Sequence, residues 1–133
     1  MISRADLAKI TGLNKATISV QAAELLAEDL LIETQQEHKN LGRRPIKLCI
    51  KHQAGYSLGI DLDKRVITFT LSDLSGSPLD THSIEIEASD YNLIVELLAN
   101  QITQYKQRCS HAPYGLIRVV IGIHGIVNND ETI

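Results

Sequence analysis

The sequence predicts a mixed α+β and α/β chain built from two modules, residues 1–51 and residues 55–133. In the first module, apolar residues at helical spacing precede two alternating strands; the second shows three strands, a helix and a further strand. Charge also divides the chain, since residues 1–51 hold eight Lys/Arg and six Asp/Glu, whereas residues 52–133 hold five and ten. A mildly basic part joined to an acidic part indicates modules with different partners.

Composition excludes several classes of protein. The chain has 133 residues, 44% hydrophobic and 22% charged, which does not fit a disordered, collagen-like or disulfide-rich protein. No apolar stretch approaches the roughly 18 residues of a membrane-spanning helix, and no signal-peptide run opens the chain. Cys49 and Cys109 lack a metal-ligand spacing, so we expect both to be small buried hydrophobes. The expectation is a protein of the reducing bacterial cytoplasm with no membrane partner, no metal and no cofactor.

The first forty residues carry a helix-turn-helix pattern. A short helix is predicted over residues 5–10, because Ser3 is a good N-cap and Asp6 completes a capping box. Gly12 suits the left-handed turn that ends such a helix, and Asn14 caps a longer second helix. The apolar stripe of that second helix consists of Ile18, Ala22, Leu25 and Leu26. A short helix, a tight turn with glycine and a longer helix are typical of a helix-turn-helix.

A β-hairpin is predicted directly after the helix pair. Residues 30–33 form its first strand, and the alternation of Ile46, Leu48 and Ile50 with polar residues marks its second. The returning edge of the hairpin carries Gly42-Arg43-Arg44-Pro45. A hairpin beside a helix-turn-helix is a wing, and two extended guanidinium groups suit the narrow, electronegative minor groove of A·T-rich DNA.

Ten residues of the first module are therefore candidate contacts to DNA. The start of the second helix should enter the major groove, while the wing arginines should reach the minor groove. The candidates are Ser3, Arg4, Asn14, Lys15, Ala16, Thr17, Ser19, Val20, Arg43 and Arg44. Thr17 and Ser19 suit phosphate oxygens or a base edge, and Ala16 and Val20 suit thymine methyl groups.

The second module reads as a βββαβ unit. Strands are predicted over residues 56–62, 66–72 and 81–86, with a turn cluster over residues 73–78. Ser89 or Asp90 caps a helix of about twenty residues. The inner stripe of this helix is Ile94, Leu97, Leu98, Ile102 and Tyr105. The last strand, residues 117–123, is apolar enough for burial on both faces, and the order predicts an antiparallel meander followed by a right-handed crossover.

One helix is too little to cover both faces of this predicted sheet. About eighty residues with a single covering helix do not sandwich such a sheet, so the chain is expected to be a fragment or a truncated product.

Several motifs together resemble the ROK family (repressor, open reading frame, kinase), most closely its NagC/XylR type and, within that, the xylose-repressor type. They are residues 3–19, Leu41-Gly42-Arg43-Arg44-Pro45, residues 54–61, Pro113-Tyr114-Gly115-Leu116 and residues 121–127. The resemblance covers nearly the whole chain. It implies a winged-helix DNA-binding domain over residues 1–51, in which the family's first helix is missing. It also implies a partial actin/hexokinase-like (ribonuclease H-like) lobe of a sugar-binding domain over residues 55–133.

The resemblance further implies a sugar-responsive transcriptional regulator of carbohydrate genes. Its partners would be operator DNA, a sugar effector such as xylose, and further copies of itself in a homo-oligomer. The family's main sugar-contacting residues and its zinc motif are expected beyond residue 133, so the sugar-binding residues of this chain stay unknown, with the loop at Gly125 as a candidate. We expect no catalytic residue.

The sequence departs from the family's kinases at the end of the first strand of the second module. Where they carry a glycine-rich phosphate loop, this chain has Asp61-Leu62-Asp63-Lys64-Arg65. Without glycines the backbone does not approach a phosphate closely, so Asp61 is expected to be structural and His124 a loop residue. Two alternatives stay open: a ROK sugar kinase, and a module whose helix pair serves oligomerisation alone.

Overall fold

The computed structural model describes residues 1–35, 46–87 and 91–124. The chain divides into two compact units, which we call the N-terminal unit (Met1–Ala54) and the C-terminal unit (Gly55–Ile133). Each unit has its own β-sheet, so the structure is of the mixed α/β kind. Across the described residues, no helix is both long enough and apolar enough to cross a membrane.

The N-terminal unit begins with a very short strand, β1 (Ile2–Ser3), which the sequence did not predict. Two helices follow, α1 (Arg4–Thr11) and α2 (Lys15–Ala27), and then two strands, β2 (Leu31–Gln35) and β3 (Ile46–Ile50). The strands form an antiparallel sheet in the order β1-β3-β2. The predicted helix pair and hairpin strands are therefore present, with boundaries one or two residues from those expected.

Capping residues mark the end of α1 and the start of α2. Gly12 adopts a φ of 72° at the end of α1 and donates its N–H to the carbonyl of Ala8. This left-handed conformation costs glycine little because it has no Cβ. Asn14 then caps α2 by accepting the Thr17 N–H at 2.7 Å. Gly12 and Asn14, the two ends of the turn between the helices, thus take the roles that the sequence predicts.

Helix α2 ends in a Schellman turn built on an aspartate. The Leu30 N–H bonds the Leu25 carbonyl at 3.0 Å, and the Asp29 N–H bonds the Leu26 carbonyl at 3.1 Å. Asp29 takes the left-handed position with a φ of 62°, where glycine is usual. Its carboxylate forms an ion pair with Lys51 Nζ at 2.5 Å, which joins the end of α2 to the residue after β3. Nothing in the sequence marked this turn, because no glycine stands there.

The core of the N-terminal unit is small. Its buried hydrophobic residues, among those described, are Ile18, Ala22, Leu48 and Ala54. Leu48 lies in the middle of β3, where alternation predicted an inward side chain, but Ile46 and Ile50 on the same strand are 40% and 55% exposed. The predicted stripe on α2 is likewise buried at Ile18 and Ala22 and exposed at Leu25.

The C-terminal unit is a four-stranded sheet with one long helix. Its elements are β4 (Tyr56–Leu62), β5 (Val66–Asp73), β6 (Pro78–Glu85), α3 (Tyr91–Arg108) and β7 (Leu116–Ile123). The strand order is β6-β5-β4-β7, with β7 parallel to β4 and the other neighbours antiparallel. This is the βββαβ order that the sequence predicts. Ser89 and Asp90, the predicted caps of α3, lie outside the described residues.

The core of the C-terminal unit lies between the sheet and α3. Alternate residues of β4 and β5 face it, among them the fully buried Leu58, Ile67 and Phe69. From α3, Tyr105 is buried, and its ring stacks on that of Phe69 with centroids 6.1 Å apart. The rest of the predicted stripe packs against this core: Ile94, Leu97, Leu98 and Ile102. Burial raises the pKa of the Cys109 thiol, which fits the expected hydrophobic role of this cysteine.

Two features of this sheet differ from expectation. Strand β7 was expected to be buried on both faces, but Ile117, Val120 and Ile123 are all more than half exposed. The reason is its place at the edge of the sheet, with α3 on one face only among the described elements. Pro78, assigned to a turn, begins β6 instead; a proline is tolerated at the first residue of an edge strand.

A tyrosine and a histidine connect the start of β4 to the turn after α3. The Tyr56 hydroxyl lies 3.2 Å from His111 Nε2, and His111 Nδ1 lies 2.8 Å from the Arg108 carbonyl oxygen. Arg108 itself pairs with Asp80 of β6 at 3.0 Å and lies over the Tyr105 ring. These contacts fix the end of α3 against two strands of the sheet.

Candidate nucleic-acid interface

The exposed face of α2 is the centre of the candidate interface. Ile18 and Ala22 are 5% and 4% exposed, so they fix which side of the helix faces the core. At about 100° per residue, Val20 lies about 180° from the midpoint of these two side chains. Val20 is 59% exposed, and Lys15, Ala16 and Ser19 are also exposed. Four of the predicted contact residues on this helix are thus exposed.

Asn14 has a fixed orientation at the start of α2. Its Oδ1 accepts from the Thr17 N–H at 2.7 Å and from the Thr17 hydroxyl at 2.9 Å. Since the oxygen faces the helix, the Nδ2 amide group faces away from it and keeps two donors. Asn14 is therefore the cap of α2, as its position predicted.

The two hydroxyl candidates already donate a hydrogen bond within the helix. The Thr17 hydroxyl donates to Asn14 Oδ1 at 2.9 Å, and the Ser19 hydroxyl donates to the Lys15 carbonyl at 2.9 Å. A hydroxyl has one donor, so in this arrangement both oxygens are left as acceptors.

Ser3 and Arg4 are both occupied by contacts inside the N-terminal unit. The Ser3 oxygen accepts the Asp6 N–H at 3.2 Å, and its hydroxyl donates to Asp6 Oδ2 at 2.6 Å. This second bond lowers the pKa of Asp6. The Arg4 guanidinium pairs with Glu33 Oε1 of β2 at 2.6 Å. The sequence predicted the Ser3 cap but not the Arg4 ion pair, whose partners lie 29 residues apart.

The remaining predicted site residues are outside the described part of the chain. Arg43 and Arg44 of the wing, and Gly125 of the expected sugar contact, all fall there. The strands that flank the wing, β2 and β3, pair over five residues from Leu31 with Ile50 to Gln35 with Ile46.

A second polar group lies in the C-terminal unit, at the ends of the parallel strands β4 and β7. His124 directly follows β7, and its Nε2 is 3.6 Å from Asp61 Oδ1. Both side chains are more than half exposed, so water screens their interaction. Within residues 1–35, 46–87 and 91–124, no three His, Cys, Asp or Glu side chains form a group that could hold a metal ion.

Known proteins similar to this chain are transcriptional regulators. The chain is 36% identical over 132 residues to the xylose repressor of Bacillus spizizenii, a match that covers 99% of this chain and 34% of that protein. It is 31% identical over 134 residues to the xylose repressor of Staphylococcus xylosus, a match that covers 99% of this chain and 34% of that protein. It is 25% identical over 130 residues to the DNA-binding transcriptional dual regulator NagC of Escherichia coli K12, a match that covers 98% of this chain and 32% of that protein.

The fold leads to the same group of proteins. The crystal structure of a ROK family transcriptional regulator, a homolog of the E. coli MLC protein, matches with a TM-score of 0.64 and 27% sequence identity. That match covers 96% of this chain and 32% of the other. No protein-family model matches the chain. The chain spans about a third of the length of the curated relatives it matches. Over nearly all of its own length, in sequence and in fold, this chain is thus similar to ROK-family transcriptional regulators of the xylose-repressor and NagC type.

Proposed function

We propose that this chain is part of a sugar-responsive DNA-binding transcriptional regulator, a repressor of carbohydrate-utilisation genes. In this proposal the N-terminal unit, taken over residues 1–51, is a winged helix-turn-helix, and α2 is its recognition helix. Residues 55–133 contribute part of an actin/hexokinase-like lobe that responds to a sugar. The regulator would act in the cytoplasm, where the operator DNA lies.

The observation that carries the proposal is the composition of the exposed face of α2. An exposed valine stands opposite the buried stripe, flanked by Ala16 and Ser19 and preceded by Lys15. Exposure of a valine to water has no stabilising role in the fold, but a small apolar group can pack on a thymine methyl in the major groove. The names of the relatives, which include repressors and a DNA-binding regulator, support the same reading.

The hydrogen bonds at the start of α2 favour different DNA-contact roles for its polar residues. Thr17 and Ser19 keep acceptor oxygens, which match the amino groups of adenine or cytosine rather than phosphate oxygens. Lys15 and the outward Asn14 amide are donors and suit phosphate or guanine. Ser3 and Arg4 are held by Asp6 and Glu33, so their DNA contacts rank below those of α2. The expected operator is rich in A·T pairs, with thymine facing Val20.

The wing would add affinity without reading the sequence. The antiparallel pairing of β2 with β3 supports this proposal, because the wing segment connects these two strands in the sequence. Arg43 and Arg44, between Gly42 and Pro45, would contact the minor groove and its phosphates.

The sugar-sensing role rests on the relatives' names and on the resemblance of the C-terminal unit. Xylose is the first inducer to test, since the most similar proteins reported above are xylose repressors. We propose no enzymatic activity: the run from Asp61 to Arg65 replaces the glycine-rich phosphate loop of the family's kinases. Self-association into a homo-oligomer is part of the proposal.

Salt dependence separates DNA binding from a helix pair that serves oligomerisation alone. The full chain should bind duplexes selected from a random library, and the logarithm of its association constant should fall linearly with the logarithm of salt concentration. Fluorescence anisotropy between roughly 50 and 200 mM salt measures this slope. A chain that binds no duplex at the lowest salt would contradict the proposal.

Val20→Ser should weaken binding to the selected duplex by roughly 1–3 kcal/mol, because the contact to a thymine methyl is lost. Binding to an unrelated duplex should barely change. Val95→Ser is the matched control, since Val95 is an exposed valine on α3 of the C-terminal unit. Equal losses on both duplexes, or no loss on either, would show that Val20 does not read a base.

Replacing Arg43 and Arg44 together by alanine should weaken binding to every duplex alike. The salt slope should become shallower by roughly one to two, because about two phosphate contacts are lost. Replacing Lys64 and Arg65 by alanine is the control, since it removes two cations from the β4–β5 turn of the C-terminal unit. An unchanged slope in the wing variant would rule out this role.

A further inference from the structure

We propose that Glu33 is an internal competitor for DNA phosphate. In the free chain its carboxylate holds the Arg4 guanidinium, and in a complex it would yield Arg4 to a phosphate of the DNA backbone. Glu33 would thereby limit how tightly the N-terminal unit binds any duplex, without reading a base. This inference rests on the proposed DNA-binding function, and it gives a role to a residue outside the ten candidate contacts.

The register of the three-stranded sheet brings Glu33 to Arg4. Leu48 of β3 is paired with Ile2 of β1 on one side and with Glu33 of β2 on the other. Directly opposed residues share one face of a sheet, so Glu33 lies on the face that carries the buried Leu48. Arg4 comes two residues after Ile2 and begins α1, and its Nη2 lies 2.6 Å from Glu33 Oε1. Both partners of this ion pair are thus held by secondary structure.

Arg4 stands at a place where the helix itself disfavours a cation. The N-terminal end of a helix carries partial positive charge, because its first N–H groups lack partners within the helix. Arg4 occupies the first position of α1, so its charge is unfavourable there unless an anion lies beside it. In the free chain that anion is Glu33. In a helix-turn-helix complex the first helix crosses the DNA backbone, so a phosphate is the second anion that Arg4 can meet.

The ion pair is accessible enough for a phosphate to compete. The side chains of Arg4 and Glu33 are 32% and 39% exposed. Water screens a pair of this exposure, so the pair adds little to the stability of the fold and is easily broken. A guanidinium offers the same N–H groups to a phosphate as to a carboxylate, and the two anions repel each other if they share it. Carboxylate and phosphate therefore compete for Arg4.

Asp29 supplies a matched control in the same unit. Its carboxylate pairs with Lys51, and the two side chains are 49% and 33% exposed, close to the values of the Arg4–Glu33 pair. Asp29→Asn and Glu33→Gln each remove one negative charge and release one cation. Asparagine also tolerates the left-handed backbone of Asp29. The two variants thus differ in which cation they release, and not in net charge.

The test is fluorescence anisotropy of the full chain with the selected duplex and with an unrelated duplex, over a series of salt concentrations. At the lowest salt, Glu33→Gln should bind both duplexes roughly three- to tenfold more tightly than the wild type, because Arg4 reaches a phosphate without leaving a carboxylate unpaired. Its salt slope should steepen by about one. The double variant Arg4→Gln, Glu33→Gln should lose this gain. Asp29→Asn should bind like the wild type.

Circular dichroism shows whether each variant is folded, and Glu33→Thr, which suits an edge strand, takes the place of Glu33→Gln if glutamine impairs folding. An affinity that Glu33→Gln leaves unchanged or lowers overturns this proposal alone, since the wild type still binds DNA. A gain that persists in the double variant, or that Asp29→Asn reproduces, comes from net charge rather than from Arg4 and overturns it as well. If neither the wild type nor Glu33→Gln binds a duplex, the proposed function fails together with this inference.

Discussion

The N-terminal and C-terminal units are stabilised in different ways. The four largest fully buried side chains among the described residues, Phe69, Leu58, Ile67 and Cys109, all belong to the C-terminal unit. The core of the N-terminal unit consists of two alanines, one isoleucine and one leucine. Burial of apolar surface stabilises a fold by roughly 25 cal/mol per Å². The hydrophobic contribution to stability is therefore much smaller in the N-terminal unit than in the C-terminal unit.

The N-terminal unit relies instead on the ends of its elements. Ser3 and Asn14 cap the two helices, Asp29 closes the Schellman turn, and the ion pairs of Arg4 and Lys51 connect helices to strands. Individual caps contribute about 1 kcal/mol, and half-exposed ion pairs contribute less. The comparison teaches that local hydrogen bonds carry a larger share of the stability in a unit whose core is small.

The largest expected effect tests the C-terminal core. Phe69→Ala should destabilise this unit by about 3–5 kcal/mol, because it leaves a cavity beneath the Tyr105 ring. Hydrogen exchange followed by mass spectrometry should show faster exchange in β4, β5 and α3, with α2 unaffected. Val95→Ala on the exposed face of α3 is the control and should change little. Equal acceleration of exchange in α2 would show that the two units do not unfold separately.

A smaller effect is expected from the cap of α2. Asn14→Ala should cost the N-terminal unit about 1 kcal/mol, since the Thr17 N–H and hydroxyl lose their acceptor. Exchange of the Thr17 amide should quicken, while the C-terminal unit keeps its protection. Asn14→Ser retains a capping oxygen and should restore most of the loss. If Asn14→Ser is as destabilising as alanine, the contribution of Asn14 is not that of a cap.

The smallest effect concerns pH. The Ser3 hydroxyl lowers the pKa of Asp6 below the value of about 4 found in unfolded chains. A lowered folded-state pKa means that this stabilisation is fully present above the unfolded value and is lost as pH falls through the folded one. An NMR titration should find the Asp6 midpoint below the unfolded-chain value of about 4. In Ser3→Ala the Asp6 midpoint should rise toward the unfolded-chain value, and a midpoint that stays low would contradict the assignment.

Local signals explain what the sequence could predict. Ser3, Gly12 and Asn14 act within four residues of their own positions, and the α3 stripe follows helical spacing, so each was found from the chain alone. The Arg4–Glu33 and Asp29–Lys51 pairs join residues far apart in sequence, and no pattern announced them. Strand β1 was missed because two residues are too short for any alternation.

Burial of a strand depends on its neighbours rather than on its composition. The apolar run of β7 predicts a strand correctly, but its exposure follows from its place at the sheet edge. On α2, helical spacing was enough to predict which residues are exposed. The donor and acceptor roles of Thr17 and Ser19 depend on their hydrogen bonds, which the sequence does not reveal.

The contacts of His111 also determine which tautomer its neutral imidazole holds. The Arg108 carbonyl oxygen can only accept, so the His111 nitrogen that lies 2.8 Å from it, Nδ1, must carry the proton. In the neutral ring, Nε2 is then the acceptor for the Tyr56 hydroxyl at 3.2 Å. Free histidine in water favours the other tautomer, so the nitrogen chemical shifts of this ring record whether the turn after α3 is seated on β4. A single imidazole thus offers a spectroscopic marker for the integrity of the C-terminal unit, independent of any ligand.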